Sequence, residues 1–136
     1  MGITQQEKAH TFKQLHSESI FVLPNPWDIG SAKMLAALGF SALATTSAGY
    51  AFSRGLTDQV GELSREEALA HAKEIVNATS LPVSADFENG FGDAPEEVAE
   101  TVLRAAEVGL VGCTIEDTSG DSAQPIYDKN LAIERI

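Results

Sequence analysis

Apolar residues in this chain fall into short unbroken runs, and between the runs they recur at helical spacing among polar residues. Ile20-Phe21-Val22-Leu23 reads as a buried first strand, Phe40 to Ala44 as a second, Pro82 to Asp86 as a third and Gly112 to Ile115 as a fourth. The intervening segments read as helices with recognisable ends. Thr4 and Glu7 form a capping box before a polar helix that ends near Ser17. Asp28 is placed to cap a helix carrying Ile29, Met34, Leu35 and Leu38, with Gly39 as its stop. Ser64 and Glu67 open a helix that aligns Ala68, Leu69, Ala72, Ile75 and Val76 on one face. Asp93, Pro95 and Glu96 begin another, with Val98, Val102, Leu103 and Ala106 apolar and Gly109 at its end, and residues 128–136 read as a last helix. Residues 45–63 form a long connection, of the kind that often carries function.

Strands alternating with amphipathic helices predict an α/β fold with a parallel sheet and right-handed crossovers. An open doubly wound sheet and part of a (β/α)8 barrel both fit this rhythm. No glycine-rich loop follows the first strand, which weakens a phosphate-binding doubly wound reading. At 136 residues and 43% hydrophobic, without linker or repeat, the chain is sized for a single domain, 1–136.

Composition narrows the partners. There is no apolar run near the roughly 18 residues of a membrane span, and the start lacks a basic and then apolar leader pattern. The expectation is a soluble, cytoplasmic protein with no membrane partner. Cys113 is the only cysteine, so neither an internal disulfide nor a thiolate metal cluster can form within the chain. Twenty acids against nine bases give a net charge of −11, which repels a polyphosphate backbone and argues against nucleic acid.

Two acid clusters stand out against this background. Pro82-Val83-Ser84-Ala85-Asp86-Phe87-Glu88-Asn89-Gly90-Phe91-Gly92-Asp93 ends an apolar run in two carboxylates and a glycine-rich turn, and Val111 to Asp117 repeats the arrangement one strand-helix-strand unit later. Neighbouring parallel strands would bring Asp86, Glu88 and Glu116 to one edge, where a hard divalent cation finds its preferred oxygen ligands.

Five blocks in order resemble the isocitrate lyase and phosphoenolpyruvate mutase superfamily: Leu23-Pro24-Asn25-Pro26-Trp27-Asp28-Ile29-Gly30-Ser31-Ala32, Thr45-Thr46-Ser47-Ala48-Gly49, Gly55-Leu56-Thr57-Asp58, Ala85 to Gly92, and Glu116-Asp117. The resemblance runs from about residue 15 to the C-terminus. It implies a (β/α)8 TIM barrel with its site at the C-terminal strand ends, this chain covering about the first four β/α units as the N-terminal half. It implies Mg2+, or Mn2+, as cofactor and a small 2-oxo or 2-hydroxy carboxylate or a phosphonate as substrate. The implied reaction is a carbon–carbon lyase acting through an enolate; the alternatives are a phosphonomutase-like P–C bond enzyme and a catalytically inactive fragment or interaction module. Association into a homo-oligomer is also expected.

On this resemblance Asp86, Glu88 and Glu116 are metal ligands, with Asp86 also touching substrate, and Asp58 and Glu116 are catalytic acids. Thr45, Thr46 and Ser47 match the segment that holds a substrate carboxylate or phosphoryl group. Glu88 stands where the family usually has Asp. Asp117 reads as a loop acceptor, Trp27 as packing over the barrel mouth and Cys113 as a small core residue. The Lys-Lys-Cys-Gly-His type loop of the family's lyases is absent, as is the Lys- and Asn-bearing gating loop of its phosphonomutases. His10, His16 and His71 fall on predicted helices, away from the strand ends.

Overall fold

In the computed structural model, which describes residues 2–18 and 20–136, three parallel strands form one sheet in the order β1 (Leu43–Ala44), β2 (Val83–Asp86), β3 (Gly112–Thr114). Leu43 pairs with Val83, and Asp86 with Thr114, so the strands run in step and their C-terminal ends form one edge. Among the described residues six helices accompany them: α1 (Gln5–Glu18), α2 (Ile29–Ala37), α3 (Ser47–Ser53), α4 (Arg65–Ala78), α5 (Pro95–Glu107) and α6 (Lys129–Glu134).

The helix starts follow local chemistry. The Thr4 amide donates to Glu7 Oε2 at 2.7 Å and the Glu7 amide to Thr4 Oγ1 at 3.2 Å, closing the box that opens α1. Asp28 Oδ1 accepts from the Ser31 amide at 2.7 Å and starts α2, and Ser64 with Glu67 starts α4 in the same way. At α5 the N-cap is Ala94 rather than Asp93; the Glu97 carboxylate accepts from the Ala94 amide, with Pro95 in the first turn. α2 and α5 stop ahead of Gly39 and Gly109, whose positive φ values of 91° and 97° suit the turn out of a helix.

Two sequence expectations are corrected. Ile20-Phe21-Val22-Leu23 forms no strand: Ile20 is fully exposed and Val22 is 67% exposed. The segment reaches the sheet only at its end, where the Ala44 amide donates to the Pro24 carbonyl at 3.1 Å. Pro24 and Pro26 have no N–H with which to continue a ladder. The long connection 45–63 is not all loop, because Thr46 caps the seven-residue α3 through a bond from the Gly49 amide.

The core lies between the sheet and α4 and α5. Leu43, Val83, Ala85 and Phe87 meet Leu69, Ala72, Ile75 and Ala105. Each large side chain among these, fully withdrawn from water, contributes on the order of 2 kcal/mol. No helix among the described residues is long and apolar enough to cross a membrane.

His71, on α4, is buried. Its Nε2 lies 3.0 Å from the Trp27 carbonyl, to which a neutral ring can donate, and its ring stacks on Tyr50 at 3.9 Å and 7°. Burial pushes its pKa down, partly offset by the Trp27 carbonyl, Glu74 and Asp28. The folded state therefore holds the neutral ring, while the unfolded chain takes up a proton at the ordinary value near 6.5. Stability from this group is complete above that value and falls as pH drops toward the lowered folded pKa. His71→Phe keeps a ring against Tyr50, loses about 1 kcal/mol with the Trp27 bond, and should flatten this segment of a urea-unfolding pH profile between pH 5 and 7. A variant profile parallel to that of the parent would reject the assignment.

Candidate active site

Asp86 closes β2 with its carboxylate turned toward α3. The Ser47 amide and hydroxyl donate to its Oδ2 at 3.0 and 2.7 Å, and the Glu88 amide donates to its Oδ1 at 3.2 Å. Thr45 is buried: its amide extends the β1 ladder to the Ser84 carbonyl, and its hydroxyl accepts from the Asp86 amide at 3.2 Å. With Thr46 committed to capping α3, Ser47 is the member of the 45–47 segment whose side chain lines the cleft.

The strand does not continue regularly past Asp86. Phe87 still pairs with the Thr114 carbonyl at 3.2 Å, but Glu88 adopts φ 47°, a left-handed conformation uncommon for a residue with a side chain. Glu88 nevertheless faces the same cleft as Asp86. Its carbonyl accepts from the Glu116 amide at 2.7 Å, which joins the ends of β2 and β3. Asp58 arrives from the connection after α3.

Together Ser47, Asp58, Asp86, Glu88, Glu116 and Thr118 line a cleft of about 510 Å³, and no Lys or Arg is among its lining residues. Two of the four carboxylates, Glu88 and Glu116, are harder to ionise here than in water. Burial, followed by the charges of Asp86, Asp58 and Glu116, pushes the Glu88 carboxyl up to about 7, which the Gly61 amide offsets only partly. Glu116 moves in the same direction, by burial first and then through Asp86, Asp58 and Asp117. Glu88 is 7% exposed, and its Oε2 is buried without a hydrogen-bond partner. A buried carboxylate oxygen without a donor is costly unless something positive meets it.

Among the described residues no three His, Cys, Asp or Glu side chains form a group that could hold a metal ion as they stand, so Asp86, Glu88 and Glu116 are not the preformed ligand trio that the sequence suggests. The donor set still suits a small hard cation, because Mg2+ takes one or two carboxylates and fills its remaining positions with water and substrate. The orphaned Oε2 of Glu88 is the strongest local sign of that fit.

Other candidates fall elsewhere. Asp117 uses its backbone carbonyl, which accepts from the Tyr127 amide, and Cys113 is half-buried, its thiol pushed up by burial. Trp27 is 47% exposed and lies so close to Gly49 that a side chain there would collide with its indole. Residues 117–127 fold back through an antiparallel bridge between Thr118 and Ile126. Sequence reasoning assigned no role to Asn89, Tyr127 or Arg135, which bind one another around the turn after Glu88. The Tyr127 hydroxyl donates to Asp93 at 2.5 Å and accepts from Asn89 at 3.1 Å. Asn89 lies inside the Ala85 to Gly92 block, but nothing local in the sequence points to the other two.

A family model described as phosphoenolpyruvate phosphomutase matches residues 12–136. The 2-methylisocitrate lyase of Halalkalibacterium halodurans is 37% identical over 115 residues, covering 84% of this chain and 38% of that protein. A crystal structure of a candidate lyase/mutase from Burkholderia cenocepacia is 52% identical with a TM-score of 0.93, over 96% of this chain and 46% of that one. The structure of 2,3-dimethylmalate lyase, a PEP mutase/isocitrate lyase superfamily member, is 29% identical with a TM-score of 0.83, over 99% of this chain and 47% of that one. The chain spans under half the length of each of these three.

Proposed function

Since this chain belongs to the phosphoenolpyruvate phosphomutase family, within the PEP mutase/isocitrate lyase superfamily, we propose that it is a Mg2+-dependent lyase that cleaves a carbon–carbon bond of a small 2-hydroxy or 2-oxo carboxylic acid through an enolate. The observation that carries this reading is the cleft at the C-terminal strand ends, where Asp58, Asp86, Glu88 and Glu116 converge and one buried oxygen of Glu88 lacks a partner. On the same reading residues 1–136 are a single domain, the N-terminal half of a (β/α)8 barrel, in which three of the four expected strands are formed. Coverage of just under half of two solved structures supports this.

Asp86 would hold the cation directly, with Glu88 and Glu116 reaching it through bound water, and a cation bound there would supply Lewis-acid polarisation of a 2-oxo carboxylate. The residues of the chain prepare that site. Ser47 fixes the orientation of Asp86 through two donated bonds. Glu88, with its carboxyl near 7, exchanges a proton at neutral pH, so a cation displaces that proton at little cost. Asp58 remains free at the cleft wall to orient a substrate hydroxyl. An anionic substrate entering a cleft lined by four acids and no base needs a cation between them.

Similarity to 2-methylisocitrate lyase and 2,3-dimethylmalate lyase favours carbon–carbon cleavage. The family model, described as a phosphomutase, favours a P–C rearrangement as the second reading. Titration of oxalate, a planar mimic of an enolised 2-oxo acid, is the test. Binding should appear with Mg2+ and vanish in EDTA, and 2-hydroxy diacids and a 2-oxo phosphonate should then be compared as substrates. Absence of binding by folded protein at saturating Mg2+ would reject both readings.

A further inference from the structure

The loop after β2 is held from outside at every peptide carbonyl from residue 89 to residue 93. Arg135 donates to the carbonyls of Asn89, Gly92 at 2.7 Å and Asp93 at 2.5 Å. Thr101, on α5, donates to that of Gly90 at 2.7 Å, and Arg65, on α4, to that of Phe91 at 3.2 Å. We infer that Arg135, just beyond α6, is the positioning residue of the acid cleft: by clamping three of these five carbonyls it fixes the loop that sets where Glu88 stands.

The guanidinium is in an environment that stability alone does not favour. Arg135 is 5% exposed, and the ion pairs among the described residues, Arg54 with Glu67 and Arg104 with Glu66, do not include it. Its charge is met by carbonyl oxygens and by the face of Tyr127, 4.0 Å from ring centroid to guanidinium carbon. Removing an always-charged group from water is expensive, and a flat fork of donors matched to several carbonyls offsets that cost where an ammonium would not.

The loop needs such support because it contains two non-glycine residues with positive φ, Glu88 at 47° and Phe91 at 60°. Conformations of this kind cost about 1–3 kcal/mol each and persist only where surrounding contacts impose them. Tyr127 completes the clamp: stacked on Arg135, it ties Asn89 to Asp93 through its hydroxyl. Freed from the clamp, Glu88 can relax toward an ordinary φ, which swings its carboxylate away from Asp86 and loosens the bond between its carbonyl and the Glu116 amide.

The ligand readout rests on the proposed function, so hydrogen exchange is measured beside it. In Arg135→Ala, Mg2+-dependent oxalate affinity should fall about 10–100-fold, as for loss of an outer partner at a metal site. Guanidinium ion, kept well below denaturing concentration, should restore part of it. Arg135→Lys should stay weak, and amides 88–93 should exchange faster in both variants while those of β2 remain protected. Wild-type affinity in Arg135→Ala, or loss that guanidinium does not rescue, overturns the inference. If the parent protein itself does not bind oxalate, the functional reading fails and exchange at 88–93 decides the clamp alone, unchanged rates overturning it. Should Arg135→Ala not fold, Arg135→Lys and Tyr127→Phe carry the same measurements, and parent-like behaviour in both overturns it.

Discussion

Asp86→Asn abolishes Mg2+-dependent oxalate binding and leaves the helical content unchanged. Asn keeps the size of the side chain and one acceptor oxygen, so the Ser47 hydroxyl and amide retain a partner. Its amide group must then face the Glu88 N–H, which costs about 1–3 kcal/mol for an unmatched donor. Loss of one of four neighbouring negative charges offsets part of this, and the fold survives. Cation binding does not, because a neutral amide gives a hard divalent ion far less than a carboxylate does. The fall in affinity should exceed the roughly 10–100-fold that loss of an outer partner costs a metal site. Isothermal titration with and without Mg2+ measures it, alongside far-UV circular dichroism. Binding within a few-fold of the parent would remove Asp86 from the ligand set.

The second large effect is on stability. Glu88→Gln should raise stability at pH 8, in EDTA, relative to the parent, and the difference should shrink as pH falls toward 5. The Glu88 carboxyl is raised from its ordinary 4.5 to about 7 in the folded state, so the folded protein holds a proton that the unfolded chain has lost. The stability this contributes is complete below pH 4.5 and is lost as pH rises through 7. By pH 8 the parent has given up about 3 kcal/mol that the glutamine variant never loses. Urea unfolding at pH 5 and pH 8 reads the difference, and parallel curves for the two proteins would refute it. Mg2+ at pH 8 should stabilise the parent more than the variant, since it binds the folded state through this carboxylate. The effect runs opposite to that of His71, whose contribution is lost toward acid, so the two substitutions bend the pH profile in opposite senses.

The strand ends and helix caps were legible because their signals are local. Thr4 with Glu7, Asp28 and Ser64 with Glu67 each lie within three residues of the groups they cap. The runs ending at Asp86 and near Glu116 were legible because a parallel sheet brings successive strand ends to one edge, and Asp58 was found through a short motif alone. Helix α3 was missed for the opposite reason. Ser47-Ala48-Gly49-Tyr50-Ala51-Phe52-Ser53 has weak helix propensity, and its first amide is satisfied by Asp86, 39 residues away. Ile20 to Leu23 misled because an apolar run says nothing about whether a neighbour covers it. Arg135 and Tyr127 carry no motif; Arg135 meets backbone carbonyls, which look alike in any sequence, and Tyr127 meets the side chains of Asn89 and Asp93, all more than 30 residues earlier.

That last arrangement sets an order of events during synthesis. Every residue of the sheet and of α5 has been made once the chain reaches Thr114, and these elements can pair and bury their core from then on. Three of the five carbonyls in the loop after β2 have no side-chain donor until Arg135 has also emerged. A chain that has emerged only as far as Thr114 therefore holds every residue of the sheet but lacks the donor that anchors these three carbonyls.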